Sequence, residues 1–228
     1  MGAAVFWGEL LGFGLAVAFS PVHIALLLLL LLGPQPLRRG GWFVATWLVA
    51  SALMLVTLLW LGHGLLLTME KGSSHRTGLD LLAAGALLAL GLKELLDRRE
   101  DGAEPPAWTR QLDRFCAMPL PLLLGASCAI EVISPDDLFL FAKAASALLS
   151  SGLTRMQEVL YTAGFSLAAS LALLLPFGAV LVGRDRVVPL LEKGKQVLFA
   201  RGDLLVGGLS LVLAGYLGWQ GIEGLQLS

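Results

Sequence analysis

Charge is scarce in this chain. Asp, Glu, Lys and Arg together make up 14% of its 228 residues, against about 25% in a soluble domain. With 57% hydrophobic residues and a mean hydropathy of +0.80, that deficit excludes an ordinary soluble globule and indicates an integral membrane protein. Cysteine is nearly absent. Cys116 and Cys128 stand twelve apart with no CxxC and no neighbouring His, so they read as small apolar residues rather than a redox or metal pair. A membrane thiol relay would need one cysteine in each half, and the first half has none. No basic region precedes the first apolar run, and no small-residue cleavage site follows a short one, so no removable signal peptide is expected. The net charge of −1 says nothing about partners, because most charges fall between apolar runs.

What is present is a motif that occurs twice. Ala18-Phe19-Ser20-Pro21-Val22-His23 and Val132-Ile133-Ser134-Pro135-Asp136-Asp137 each sit near the middle of a long apolar run. A run of about 30 residues would make a straight helix of ~45 Å at ~1.5 Å per residue, whereas a bilayer core is only ~30 Å thick. Such a run must tilt, bend or break, and Ser-Pro marks the place. Proline cannot continue a helix without losing a hydrogen bond, but Ser followed by Pro is a good helix start, with Ser as N-cap and Pro at the first helical position.

Six spans are expected, at about 3–32, 42–67, 79–96, 121–150, 156–182 and 204–225. The connection from Gly33 to Gly40 reads as a tight turn with a basic tip. Those at 97–119 and 183–202 read as carrying short helices on the membrane surface. The first, third and fifth connections, with Lys93, hold twelve Lys and Arg; the opposite side holds only Lys71, Arg76 and Arg155. That bias places both termini on the non-cytoplasmic side.

The halves match again at the third and sixth spans, which open with Asp80-Leu81-Leu82 and Asp203-Leu204-Leu205. Three spans per half is an odd number, so the second copy must run in the opposite sense across the membrane. The expected fold is therefore an all-α integral membrane protein of six transmembrane helices in two inverted three-helix repeats, the first and fourth helices broken at Ser-Pro. The repeats are 1–100 and 119–228, with a cytoplasmic linker at 101–118. Gly8-x-x-x-Gly12, and Gly207, Gly208, Gly215 and Gly218 in the last span, suit close helix contact; a homodimer is one use of it.

The candidate substrate- or ion-binding residues are Ser20, Pro21, His23, Glu131, Ser134, Pro135, Asp136, Asp137 and Lys143. Ionisable groups inside a span cost about 2.5–3.5 kcal/mol each on insertion scales, so the fourth span must face protein or water. Asp136 and Asp137 fall where carboxylates satisfy free N–H groups of a helix start, and a capping carboxylate beside a cavity can also meet cations. Asp136 and Lys143 lie two turns apart on one face, each positioned to pair with another span. His23 occupies the place of Asp137 in the other copy, as a packing residue or a proton relay. The first copy has no acid at its helix start, which suits an anionic or strongly polar group. Glu131, four residues before the second break, has no capping role and is the strongest candidate for a titrating group. His23, Glu131, Asp136 and Asp137 together form an alternative metal-ligand set.

Ser20-Pro21-Val22-His23-Ile24-Ala25-Leu26-Leu27-Leu28-Leu29, followed by Pro34, Arg38-Arg39 and Gly41-Trp42, resembles the opening of the GAP family, the glycopeptidolipid- or sulfolipid-addressing family within the LysE exporter superfamily. Ile133-Ser134-Pro135-Asp136-Asp137-Leu138-Phe139-Leu140, Ala144-Ala145, Ser151-Gly152-Leu153 and Leu175-Pro176 resemble its second half. The family's second copy is closer to Asn-Pro-Lys-Asn, so Asp136 and Asp137 reverse the local charge. The resemblance implies a six-span bundle that exports or addresses a substrate: lipids and glycolipids in this family, amino acids or cations in relatives.

The expected function is export or addressing of a small polar or amphipathic solute or lipid through a midplane site between the repeats. A divalent-metal or other cation exporter and a non-transporting envelope-lipid assembly factor are the alternatives. The chain is not expected to be an enzyme or to need a cofactor. Membrane lipids and the transported solute, lipid or ion are its expected partners, with no nucleic acid, and the inner (plasma) membrane is its expected location.

Overall fold

A computed structural model of the protein describes residues 3–65, 73–96 and 114–227; within them, the side chains of 3–5, 21, 130–133, 135–136, 184–185, 202–203, 205–206 and 227 lie outside the description. Every element among the described residues is helical: α1 (Ala3–Ala18), α2 (Pro21–Leu32), α3 (Pro36–Gly64), α4 (Ser74–Leu96), α5 (Leu120–Ile133), α6 (Pro135–Leu149), α7 (Arg155–Ala169), α8 (Leu171–Gly183) and, after a 3-10 turn at Arg184–Val187, α9 (Val188–Leu227).

Both Ser-Pro pairs interrupt a helix as expected. α1 and α2 meet at a bend of 57°. Pro21 has no N–H to offer the Val17 carbonyl, which accepts instead from the Ser20 N–H at 3.2 Å. Ser20 (φ −64°, ψ 110°) and Ser134 (φ −65°, ψ 113°) adopt the same extended conformation, each followed by Pro at the helix start.

A third break was not expected. The 156–182 run is bent by 65° between α7 and α8. The cause is local: the Ser170 hydroxyl donates back to the Ser166 carbonyl at 2.7 Å, and the Leu173 N–H turns to the Ser170 carbonyl at 3.0 Å. Serine back-bonding of this kind bends helices. Pro176 lies inside α8, away from the bend.

The 183–202 connection carries a helix, as expected. It forms the first part of α9, which meets the last helical stretch at a kink at Arg201 (φ −131°, ψ 15°). Leu191 and Leu198, before the distortion, are buried, and this part of α9 packs on α2. The surface helix expected at 97–119 lies outside the described residues except for a helical turn at 114–117. That end is tied to the first turn of α3, where the Arg39 guanidinium donates to the carbonyls of Cys116 (2.6 Å) and Met118 (2.8 Å).

α3 is the one described helix long and apolar enough to cross a bilayer alone; the bent pairs Phe6–Ala18 with Val22–Leu32 and Arg155–Ala169 with Leu171–Gly183 qualify when each is taken as one broken span. The described helices thus supply one to three spans by length and composition, not six. α4 falls short because it carries Arg76, Asp80, Lys93 and Glu94.

The halves interdigitate. α1 packs on α6 and α7, α3 on α5, α6 and α7, and the most extensive pairing joins α4 to α9. There Gly91 and Gly207 let two backbones approach: a Cβ on Gly91 would stand 3.0 Å from the Gly207 carbonyl oxygen. Gly8 and Gly12, by contrast, face open space. Phe43, Phe141, Phe165, Leu26, Leu55 and Leu87 fill the core.

Candidate functional site

The site is built from the first break outward. Ser20 holds the N-cap position of α2, but its hydroxyl makes no capping bond to the helix; it lies 2.7 Å from Nδ1 of His23 instead. His23 is almost fully buried, and its Nε2 has no hydrogen-bond partner among the described residues. Its ring packs at 4.0 Å between centroids on Trp47 of α3. The Trp47 indole N–H donates to the Ala169 carbonyl at 3.2 Å. That carbonyl stands at the third break, where its usual helical donor, Leu173, has turned away.

The second break places Asp137 in the interior, with Ser134 half-buried. Ser134 makes no capping hydrogen bond either. The backbones of Glu131 and Asp136 end α5 and begin α6, but their side chains lie outside the described residues. Among the described residues, no three His, Cys, Asp or Glu side chains gather as a metal site.

Lys143 does pair with other helices. Its ammonium donates to Asp80 of α4, and to the Gln220 side-chain oxygen of α9 at 2.9 Å. Gln220 in turn donates to the Tyr216 hydroxyl at 2.7 Å. The side chains of Lys143 and Asp80 are 1% and 3% exposed, so the pair is shut off from solvent. One turn before Asp80, the buried Arg76 lies 3.6 Å from the partly buried Glu9 of α1. The Lys143 ammonium also stands 5.9 Å from the centre of the Phe13 ring, within cation–π range. Two acids and two bases, from α1, α4 and α6, thus balance one another where each alone would cost several kcal/mol.

Sequence reasoning named Lys143 but missed Glu9, Arg76, Asp80, Tyr216 and Gln220 as parts of one cluster. Arg76 had been assigned to a connection outside the third span; α4 begins at Ser74 and buries it. Asp80 served only as a landmark of the repeat, although a lone acid inside an apolar span is itself a signal of function.

A separate polar group lies at the far end of α3. His63 meets Glu158 of α7 at 2.9 Å, beside Arg155, along an open groove of about 720 Å³ walled by Val56, Trp60 and Val159.

Polarity here is inverted relative to a soluble protein. Leu53, Trp60, Leu82, Met156, Val182 and Val212 are exposed, while Asp80, Asp137 and Lys143 are inside. An all-helical chain of this kind is a membrane protein. Residues 10–223 match the family of Sap, the sulfolipid-1-addressing protein, and the chain belongs to that family. No curated protein and no solved structure matches it.

Proposed function

We propose that this protein is a six-span transporter of two inverted repeats, within the LysE superfamily, that exports or addresses a lipid or other small amphipathic solute. It is not an enzyme, acts in the plasma membrane and holds both termini outside the cytoplasm. The family's lipid-addressing description supports the substrate class. The observation that carries the reading is the matched pair of breaks: Ser20 and Ser134 share one backbone conformation, and each is followed three residues later by a buried polar side chain, His23 or Asp137. Broken helices in corresponding spans are the usual place of a transporter's site. The pairing of α4 with α9, the third and sixth spans, suits a two-fold relation between the repeats.

Purified protein in vesicles, carrying a fluorescent anionic glycolipid in one leaflet, tests this. We expect the label to become accessible to an impermeant quencher about tenfold faster than in protein-free vesicles. Glu131→Gln, folded as judged by thermal unfolding, should abolish proton- or ion-coupled movement; full transport by that variant removes Glu131 from the mechanism. A wild-type rate equal to that of empty vesicles overturns the transporter and favours an assembly factor.

A further inference from the structure

We propose that the groove between α3 and α7 is a binding site for one acyl chain of a zwitterionic phospholipid, with Arg155 at the lipid phosphate and Glu158 at a primary ammonium. The site lies apart from the two Ser-Pro breaks, so the inference stands whether or not the protein moves lipid.

Two rows of side chains make the groove. Ala52, Val56 and Trp60 follow one another at single turns of α3, and Arg155, Val159 and Ala163 do so along α7. The volume of about 720 Å³ falls in the range of about 300–1,000 Å³ common to small-molecule sites. From Ala52 to His63 the groove follows α3 for roughly 16 Å at ~1.5 Å per residue. That is about the depth of one leaflet, half of a hydrocarbon core ~30 Å thick. Val56, Trp60 and Val159 are exposed, and α3 is the helix able to cross a bilayer alone, so the groove opens sideways toward lipid.

The polar groups stand at one end only, where a headgroup belongs. There α3 stops at Gly64, and α7 starts at Arg155 behind the Thr154–Gln157 cap. The Glu158 side chain is 11% exposed; its Oε1 meets Nε2 of His63 at 2.9 Å, and its Oε2 faces Arg155 at 3.8 Å. The second distance is too long for a hydrogen bond. The Arg155 guanidinium, 86% exposed, makes no hydrogen bond among the described residues. Its five N–H donors thus stand free beside a carboxylate oxygen that accepts none.

This pairing selects the ligand. A guanidinium takes a phosphate in a two-pronged fork. An ammonium a few ångströms away can then donate to Oε2 of Glu158. Arg155 and Glu158 bring one charge of each sign, so a zwitterion leaves neither unmatched, whereas a monoanion would meet the carboxylate as well as the guanidinium. A primary ammonium has three N–H donors; a trimethylated one has none to give.

The test uses full-length protein in phosphatidylcholine vesicles. A small fraction of the lipid carries a brominated chain, as phosphatidylethanolamine, phosphatidylcholine, phosphatidylglycerol or diacylglycerol. Bromine quenches nearby indoles, and the share of Trp60 is the difference between each protein and the same protein with Trp60→Phe. With about one lipid in ten brominated, the ethanolamine lipid should quench Trp60 about fivefold more than the choline lipid, as about a tenfold preference gives. Glu158→Gln should make these two equal. Arg155→Gln should bring the choline lipid down to the level of the diacylglycerol. Ala163→Phe fills the groove without touching its charges and should abolish the preference, which serves if Glu158→Gln does not fold. Equal quenching by all four lipids in the wild type overturns the proposal. So does strongest quenching by the glycerol lipid, which would make the site one for an anion. A preference that survives Ala163→Phe places the lipid elsewhere and overturns it too.

Discussion

The indole N–H of Trp47 reaches the carbonyl of Ala169, 122 residues further along the chain, at 3.2 Å. Its ring meanwhile lies against His23, so one side chain of α3 joins the break between α1 and α2 to the break between α7 and α8. Trp47→Phe keeps an aromatic ring but removes the pyrrole half of the indole with its donor, leaving the buried Ala169 carbonyl without it. The expected loss is about 1–3 kcal/mol of stability, read from denaturant unfolding in mixed micelles. Unchanged stability would mean that the α7–α8 bend needs no support from α3.

A double-mutant cycle measures the buried ion pair. Lys143→Met alone strands Asp80 and should cost about 3–5 kcal/mol. Asp80→Leu alone should do similar damage. The two together should cost much less than their sum, since no charge is then left unpaired. Additive losses would show that the two groups do not depend on each other.

Gly91→Ala probes the contact of α4 with α9. The added methyl would stand 2.9 Å from the Leu211 side chain and 3.0 Å from the Gly207 carbonyl oxygen, and backbone cannot rotate aside. A loss of about 1–3 kcal/mol is expected. Gly12→Ala, facing open space inside α1, is the control and should raise stability by about 0.5–1 kcal/mol.

Thr154→Ala removes a reciprocal cap. The Gln157 N–H bonds the Thr154 hydroxyl at 3.4 Å, and the Thr154 N–H donates to the Gln157 side chain at 3.0 Å. Loss of about 1 kcal/mol is expected, and Thr154→Ser should restore most of it. Equal losses in both variants would point to packing by the Thr methyl group instead.

The Ser-Pro breaks were legible because their cause is local: a proline lacks its donor whatever surrounds it. The break at Ser170 was not, since Ala168-Ala169-Ser170-Leu171 reads as continuous helix and the carbonyl it releases is taken by a distant Trp. The end of the 183–202 connection was legible too: Arg201-Gly202-Asp203 has the composition of a turn, and the kink falls at Arg201. Lys143 was recognisable as needing a partner, but its partner was not, because hydropathy does not say which helix lies alongside. Arg76 was misplaced because a charge near the end of an apolar run reads as loop until a buried acid is found opposite it. Membership of the family could be read from short motifs in order, and the match over residues 10–223 agrees.

The kink in α9 has a mechanical consequence. Two helices meet at Arg201. The one before it leans on α2, the helix that carries His23, where Gly194 faces Leu28; the one after it lies along α4, where Gly207 faces Leu95 and Gly224 faces Thr77. With no slack loop between them, a push on one helix is handed to the other, and Arg201 is the joint at which their angle can change.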